Sequence, residues 1–324
     1  MANFKVIKMV HMSPLHIGTG KENYDFSASS LQSDTLSAAL ASLRCVNGKA
    51  SGIEHFLSSF TISSAFPFKA GRFYLPRPQG RLTRMQVKGV QENEYRKQLK
   101  KIKFIDYELW KDLAEGKTVE VSPCQLQGNV VTNSDEPIKI SRSQVIQRVQ
   151  ISHDSDDAEP FFFEWRFFQQ DAGLFCLVDA DEEVFKEICE LFIQLGDTGL
   201  GTDKSIGGGK FGVEVDTLEL PSVPDSNATM LLSLYVPTED ELPKLHLSES
   251  RYTILSRSGF MAGSIEPTFC HLRKRSIYMF DYGSVFPTTA DLKGKIVDLR
   301  PRWNDSRMHP VFRSGKPFVA KIKL

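Results

Sequence analysis

Apolar and polar residues alternate from Phe4 to Val10, the period of a half-buried strand. Leu36, Ala39, Leu40 and Leu43 then recur at helical spacing from Asp34 to Leu43, with Ser33 or Asp34 available as the N-cap. Thr61 to Phe68 and Arg72 to Leu75 read as short strands around Gly71, stopped by Pro76-Arg77-Pro78. Short helices are expected between Gln91 and Gly116. From Cys124 to Ile151 the chain is polar and β-branched without an apolar face, which suits an extended hairpin or a loop. Phe161 to Phe168 and Leu174 to Val178 are strand-like. The clearest helical stripe follows, through Val184, Phe185, Ile188, Leu191, Phe192 and Leu195. Asp179 and Glu182 form a capping-box-like pair before it, and Gly196 marks the expected stop. A strand from Val213 to Leu220 closes this half, and Pro221 and Pro224 open a linker.

The order strand, helix, strands with a long insertion, helix, strand is that of the ferredoxin-like, or RNA-recognition-motif, fold, so the expected class is α+β. Leu231 to Pro237, Tyr252 to Met261, Arg275 to Phe286, Lys295 to Arg300 and Pro317 to Leu324 supply strands for a second domain. No repeat relates the two halves at the sequence level.

A length of 324 residues is consistent with two domains, and 41% hydrophobic with 25% charged residues is the composition of a globular protein. That excludes a disordered or collagen-like chain. No apolar run approaches the roughly 20 residues of a membrane span, and the first ten residues lack the features of a signal peptide. Five scattered cysteines without a CxxC pair point to reduced thiols in a cytoplasmic protein, with neither a disulfide framework nor a structural zinc.

Charge is balanced overall, 40 basic against 40 acidic residues, but it is segregated. Arg81 to Lys103 holds eight basic residues against Glu92 and Glu94, and Arg273 to Leu324 holds twelve against four. The compensating acids gather at Asp154 to Glu159, Asp179 to Glu190, Glu214 to Asp225 and Glu239 to Glu241. One surface is thus suited to a polyanion and another to a basic partner, or both are simply solvated faces.

The segment Gly199 to Gly212 contains six glycines interleaved with Thr202, Lys204, Ser205 and Lys210. Glycine admits positive φ and close approach, so consecutive amides can cradle phosphate. A formal GxGxxG at Gly207, Gly209 and Gly212 follows a helix and precedes a strand, the reverse of a dinucleotide site. The Walker A pattern fails at Lys204 and Phe211. A flexible connection and a cradle for a sugar-phosphate backbone remain, and three consecutive glycines favour the cradle.

A glycine-rich helix-to-strand loop in such a domain resembles the RAMP proteins of CRISPR systems. Leu15-His16-Ile17-Gly18-Thr19-Gly20 followed by Ser33-Asp34-Thr35-Leu36-Ser37-Ala38-Ala39-Leu40 is similar to the N-terminal strand, loop and helix of that superfamily. Arg257-Ser258-Gly259-Phe260, Tyr282-Gly283-Ser284-Val285-Phe286 and His309-Pro310-Val311-Phe312-Arg313-Ser314-Gly315-Lys316-Pro317-Phe318 resemble one family within it, the fourth Csm subunit of the type III-A effector complex. The resemblance spans nearly the whole chain and is weakest between Arg84 and Glu159.

The resemblance implies two RRM-like domains, 1–222 and 228–324. The first would carry inserted helices and a thumb hairpin over about 80–158 and the glycine-rich loop at 199–212. It implies a non-catalytic subunit that grips the repeat-derived 5′ handle of the guide RNA, caps the backbone filament beside a neighbouring RAMP subunit, and docks the large polymerase-like subunit. No cofactor, metal or membrane is expected. The residues implied in RNA contact are His16, Gly18 and Gly20; Gly201, Ser205, Gly207, Gly208, Gly209 and Lys210; Arg257 and Gly259; and His309 and Arg313. The thumb, placed between Gln125 and Ile151 with Arg142 and Arg148 as contacts, would meet target RNA near the first paired base. Tyr74, Phe211 and Phe260 are stacking candidates or core aromatics.

Two rival functions stand beside this one. A guide-processing endoribonuclease needs a general base, for which His16 is the best placed of the seven histidines. A protein scaffold that touches no RNA fits the neutral total charge but not its segregation. Asp34 is explained as a helix cap, and Asp203 in the glycine loop would oppose phosphate unless Lys204 neutralises it.

Overall fold

The computed structural model describes residues 2–18, 24–28, 30–80, 82–89, 92–151, 158–261, 269, 271–301, 305 and 307–324. Strand β1 (Ala2–Val10) leads through a loop to helices α1 (Ser33–Val46) and α2 (Ile53–Ser58). Strands β2 (Thr61–Ile62), β3 (Phe66–Lys69) and β4 (Arg72–Pro76) follow. The insertion comprises β5 (Met85–Val87), α3 (Glu92–Lys101), β6 (Phe104–Asp106), α4 (Tyr107–Ala114), β7 (Val119–Val121), β8 (Leu126–Gln127) and β9 (Val130–Val131). A long hairpin, β10 (Ser141–Ile151) and β11 (Ala158–Phe168), precedes β12 (Ala172–Asp179), α5 (Glu182–Thr198) and β13 (Gly212–Leu220).

These strands build a nine-stranded sheet in the order β13-β1-β12-β3-β4-β6-β9-β8, with β2 also paired to β12. β1 is antiparallel to both neighbours, Ile7 lying opposite Cys176 and Val215. Helices α1 and α5 cover one face, where Leu36, Leu40, Ile188 and Phe192 meet Ile7 and Met9. The other face is also buried. Val6, Phe66, Phe175 and Leu177 pack there with Trp110 of the insertion and Met230, Leu232 and Phe318 of the C-terminal half. Adjacent residues Val6 and Ile7 are both fully buried because β1 runs between two cores.

The C-terminal half consists of β14 (Ala228–Leu231), β15 (Ile254–Arg257), β16 (Ile277–Phe280), β17 (Val285–Phe286), β18 (Ile296–Asp298), β19 (Phe312–Ser314) and β20 (Val319–Ile322). It forms the small sheet β17-β14-β20 and the pairs β15-β16 and β18-β19. Among its described residues it contains no α-helix, though it includes the 3-10 turn Leu242–Leu245, whereas an RRM-like unit carries two helices. α1 packs against β19, and α2 against β18 and β19, so helices of the N-terminal half serve both.

Several local expectations need correction. The N-cap of α5 is Asp181, whose side chain accepts from the Val184 amide at 2.9 Å, and the helix runs through Gly196 to end at Gly199 with φ 84°. Gly196 lies inside it because a Cβ there would sit 2.3 Å from the Phe211 carbonyl oxygen. Gln32, not Ser33 or Asp34, is the N-cap of α1. The hairpin spans Ser141 to Phe168 and not Gln125 to Ile151. The aromatic segment read as a strand, Phe161 to Phe168, is its second arm, while β8 and β9 extend the main sheet. No helix among the described residues is long and apolar enough to cross a membrane.

Candidate nucleic-acid interface

The glycine loop is folded upon itself. The amides of Gly207, Gly208 and Gly209 donate to the carbonyls of Lys204, Asp203 and Pro14 at 3.0, 3.1 and 2.9 Å. The Lys210 amide donates to Ser13 Oγ at 2.7 Å, and that hydroxyl donates to the Gly207 carbonyl at 2.8 Å. A bare-amide phosphate cradle at 207–210 is therefore not what this loop presents. Its glycines serve close packing instead. A Cβ on Gly209 would lie 1.9 Å from the Leu200 carbonyl oxygen, one on Gly201 2.1 Å from that of His16, and one on Gly208 2.8 Å from the Trp165 ring. The loop is part of the core at Gly208 and Gly209, and Gly207, with φ 86° and open space beside it, marks its rim. Lys204, Ser205, Ile206 and Lys210 point outward from this rigid turn and are exposed.

The hairpin roots against this loop. Facing pairs Arg148–Phe161, Ile146–Phe163, Gln144–Trp165 and Arg142–Phe167 share one side of β10–β11. On that side Arg148 lies 4.3 Å from the Phe163 ring centroid and 5.4 Å from that of Trp165, and its guanidinium pairs with Asp203. Asp203, which adopts φ 59°, is thus neutralised by the hairpin and not by Lys204. The opposite side leaves Val145, Val149 and Phe162 more than half exposed. Arg142 is exposed and sits 5.4 Å over the Phe167 ring.

His16 is fully buried behind the same junction. Its Nδ1 is 2.8 Å from the Glu164 carbonyl oxygen, and its ring lies 4.4 Å from that of Phe163. Its Nε2 and the hydroxyl of Thr202 are buried without a partner. A ring walled in this way is not open to a ribose hydroxyl. Gly18 is exposed beside Thr202, whereas Gly20 lies outside the described residues.

Arg257 and Arg313 collect elsewhere, at the buried carboxylate of Asp34, with Gly259 nearby beside Lys274, while the His309 Nδ1 lies 2.9 Å from the Pro310 carbonyl oxygen. Arg257 donates from Nε and Nη2 to the two carboxylate oxygens at 2.9 Å each, and Arg313 donates to the Asp34 carbonyl at 2.8 Å. Burial alone would raise the Asp34 carboxyl, but the two guanidiniums hold it below the usual range. Its role is this ion pair, not a cap. Lys274, buried beside Gly259, is pushed down to about 8 by burial and by Arg313 and Arg257. Asp281 is raised to about 6 by burial. Arg257 and Arg313 thus share the ionised Asp34 carboxylate, with Lys274 and Asp281 close enough to feel its charge, and Arg313 Nε and His309 Nε2 are buried without partners. Lys274 was invisible to motif reasoning because a lysine between two arginines looks like a solvated run.

Of the stacking candidates, Tyr74 and Phe211 belong to the cores, while Phe260 is 54% exposed with Arg273 5.0 Å from its ring. In the acidic stretch Glu239 to Glu241, Glu241 is buried and accepts from Tyr235, Thr238, Lys293 and Gly294, so it holds the chain together and is no contact surface.

Residues 224–322 match the family model of the CRISPR Csm4 C-terminal domain. The chain is 27% identical over 312 residues to the CRISPR system Cms protein Csm4 of Mycobacterium tuberculosis (strain ATCC 25618 / H37Rv), spanning 94% of this chain and 93% of that one. It is 26% identical over 323 residues to the Csm4 protein of Streptococcus thermophilus, spanning 95% and 96%. Its fold matches a chain in the crystal structure of the Csm1-Csm4 cassette in complex with cA4, with TM-score 0.64 and 19% identity over 100% of this chain and 99% of that one. It also matches a chain of the Csm3-Csm4 subcomplex of the type III-A CRISPR-Cas interference complex, with TM-score 0.61 and 16% identity over 99% and 100%. The mixed α+β architecture is the one these Csm4 chains share. Over nearly its full length the chain is a Csm4 homologue.

Proposed function

We propose that this chain is the non-catalytic subunit of a type III-A interference complex that binds the 5′ repeat-derived handle of the crRNA, caps the backbone filament and docks the large polymerase-like subunit. Its partners are then counterparts of the Csm1 and Csm3 found with its structural relatives. The first half, 1–222, is read as a ferredoxin-like unit, because β13-β1-β12-β3 place its fourth, first, third and second strands side by side. The second half, 228–324, is read as a strand-only relative of that unit.

An RRM binds RNA by stacking bases on an open sheet face. Here that face is buried under the insertion and the C-terminal half, so RNA is assigned to the loop and hairpin. The observation that carries the reading is the rigid rim of Lys204, Ser205 and Lys210 at the root of the hairpin. Phosphates meet side chains there, and the glycines hold the rim in place. Val145, Val149 and Phe162 on one side of the hairpin, and Arg142 on the other, are the thumb residues that meet the guide and target near the first paired base. Arg257, Gly259, His309 and Arg313 line a second phosphate site, supported by the excess of positive charge around Asp34. His16, Gly18 and Gly201 shape the N-terminal wall of the groove. The chain breaks no bond in the RNA.

The test is fluorescence anisotropy of handle RNA with the Lys204→Ala/Ser205→Ala/Lys210→Ala variant. Taking two cations away from the phosphates of a single strand should flatten the log–log salt dependence by roughly 1.4, and the RNA should be recovered intact. Unaltered affinity in a folded variant, or shortened RNA, overturns the reading.

A further inference from the structure

Helix α3 of the insertion carries a feature that the handle reading leaves unused. Arg96, Lys97, Lys100 and Lys101 are all exposed. At about 100° per residue they cover an arc of roughly 140° on one side of the helix. Tyr95, buried, and Leu99, half-buried, occupy the opposite side and anchor it with Ile102. None of the four cations makes an ion pair or hydrogen bond with a described residue. Beside them lies a groove of about 680 Å³ with Arg77, Arg96 and Lys100 on its rim and Leu82, Tyr95 and Leu99, none of them exposed, among its apolar lining.

Cations near a helix C-terminus suit the macrodipole, which accounts for one or two of them. It does not account for Arg96–Lys100 and Lys97–Lys101, two like-charged pairs at i, i+4 that weaken the helix. A pattern that costs stability in the free chain is resolved by a polyanion. The kind of polyanion is set by what the surface lacks. Between Val46 and Val145 no large apolar side chain is exposed among the described residues. A protein partner would need an apolar or aromatic centre to this patch, whereas a nucleic-acid backbone needs only the charge.

We propose that α3 is a second phosphate-contact surface, one that grips single-stranded RNA by its backbone without reading its bases. The proposal rests on the handle reading only for the choice of RNA as the polyanion. In this arrangement the glycine-loop rim engages the handle, and α3 adds affinity for any strand that runs past it.

The experiment uses the full-length chain and a labelled 20-nucleotide oligouridine RNA titrated at several salt concentrations. It compares Arg96→Gln/Lys97→Gln/Lys100→Gln/Lys101→Gln with a control of equal charge change, Lys186→Gln/Lys244→Gln/Lys293→Gln/Lys295→Gln. Circular dichroism checks folding, and Arg96→Lys/Lys97→Arg/Lys100→Arg/Lys101→Arg, which keeps every charge, serves as the conservative variant. The stripe variant should bind at least tenfold more weakly, with a salt slope lower by about 3 because four phosphates are no longer neutralised. The control and the charge-conserving variant should bind as the parent does. Equal weakening in stripe and control variants, or none in either, overturns the proposal. So does a stripe variant that binds oligouridine normally but no longer assembles with its protein partners. If the parent shows no preference for handle RNA over oligouridine while the stripe effect persists, the handle reading fails and this proposal stands.

Discussion

Replacing the carboxylate of Asp34 by an amide removes the anion that Arg257 and Arg313 share and leaves two guanidiniums facing each other in a buried site. Breaking a buried pair in this way costs about 3–5 kcal/mol, so Asp34→Asn should lower the urea midpoint markedly without a change in m-value. Resistance to urea equal to the parent's would show that the pair contributes nothing. The glycines make a second residue-scale case. Gly209→Ala drives a methyl into the Leu200 carbonyl and should unfold the loop, whereas Gly207→Ala meets nothing and costs only its left-handed backbone, about 1–2 kcal/mol. The two melting temperatures, measured side by side, check this. The run of glycines was legible as a demand for backbone without side chains. Whether the demand came from a ligand or from neighbouring carbonyls was not, because Pro14 and His16 are far away in sequence.

At the scale of elements, the hairpin shows what periodicity misses. Phe161 to Phe168 reads as a buried strand because its alternate aromatics are large, and one face of it is buried, at Phe163 and Trp165. Its partner, Ser141 to Ile151, carries no comparable apolar face, since its contribution to the root is one arginine. Arg148 holds the hairpin through an ion pair and two aromatic rings. Arg148→Ala should therefore loosen β10 and β11 as a unit, speeding amide hydrogen exchange from 141 to 151 while β1 and β12 stay protected. Exchange that rises equally in β1 would mean that the hairpin is not a separate element. The α5 stripe, by contrast, was legible throughout, because six apolar residues at helical spacing allow no other period.

For the whole molecule, charge buried between the halves makes stability depend on pH. Lys274 titrates near 8 when folded and at its ordinary higher value when unfolded. Between pH 8 and 10.5 the unfolded chain holds more protons, so stability should rise with pH across that window. Asp281, at about 6 against 3.8, works in the other sense: stability should fall as pH rises from 4 to 6. Chemical denaturation of the parent, Lys274→Met and Asp281→Asn at each pH reads both slopes, each of which should vanish in its own variant. Slopes that persist in the variants would assign the titration to other groups.

Local sequence by itself determined the α+β class, the alternation of the first strand, the stripe of α5 and the presence of a loop built on glycine, since each depends on residues within one or two turns of each other. Only the tertiary structure decided that the sheet is buried on both faces, that Asp34 binds two arginines more than two hundred residues away, and that the loop amides are already occupied. Those outcomes depend on which distant surfaces meet. A burial pattern along one strand does not encode the identity of the surface that covers it.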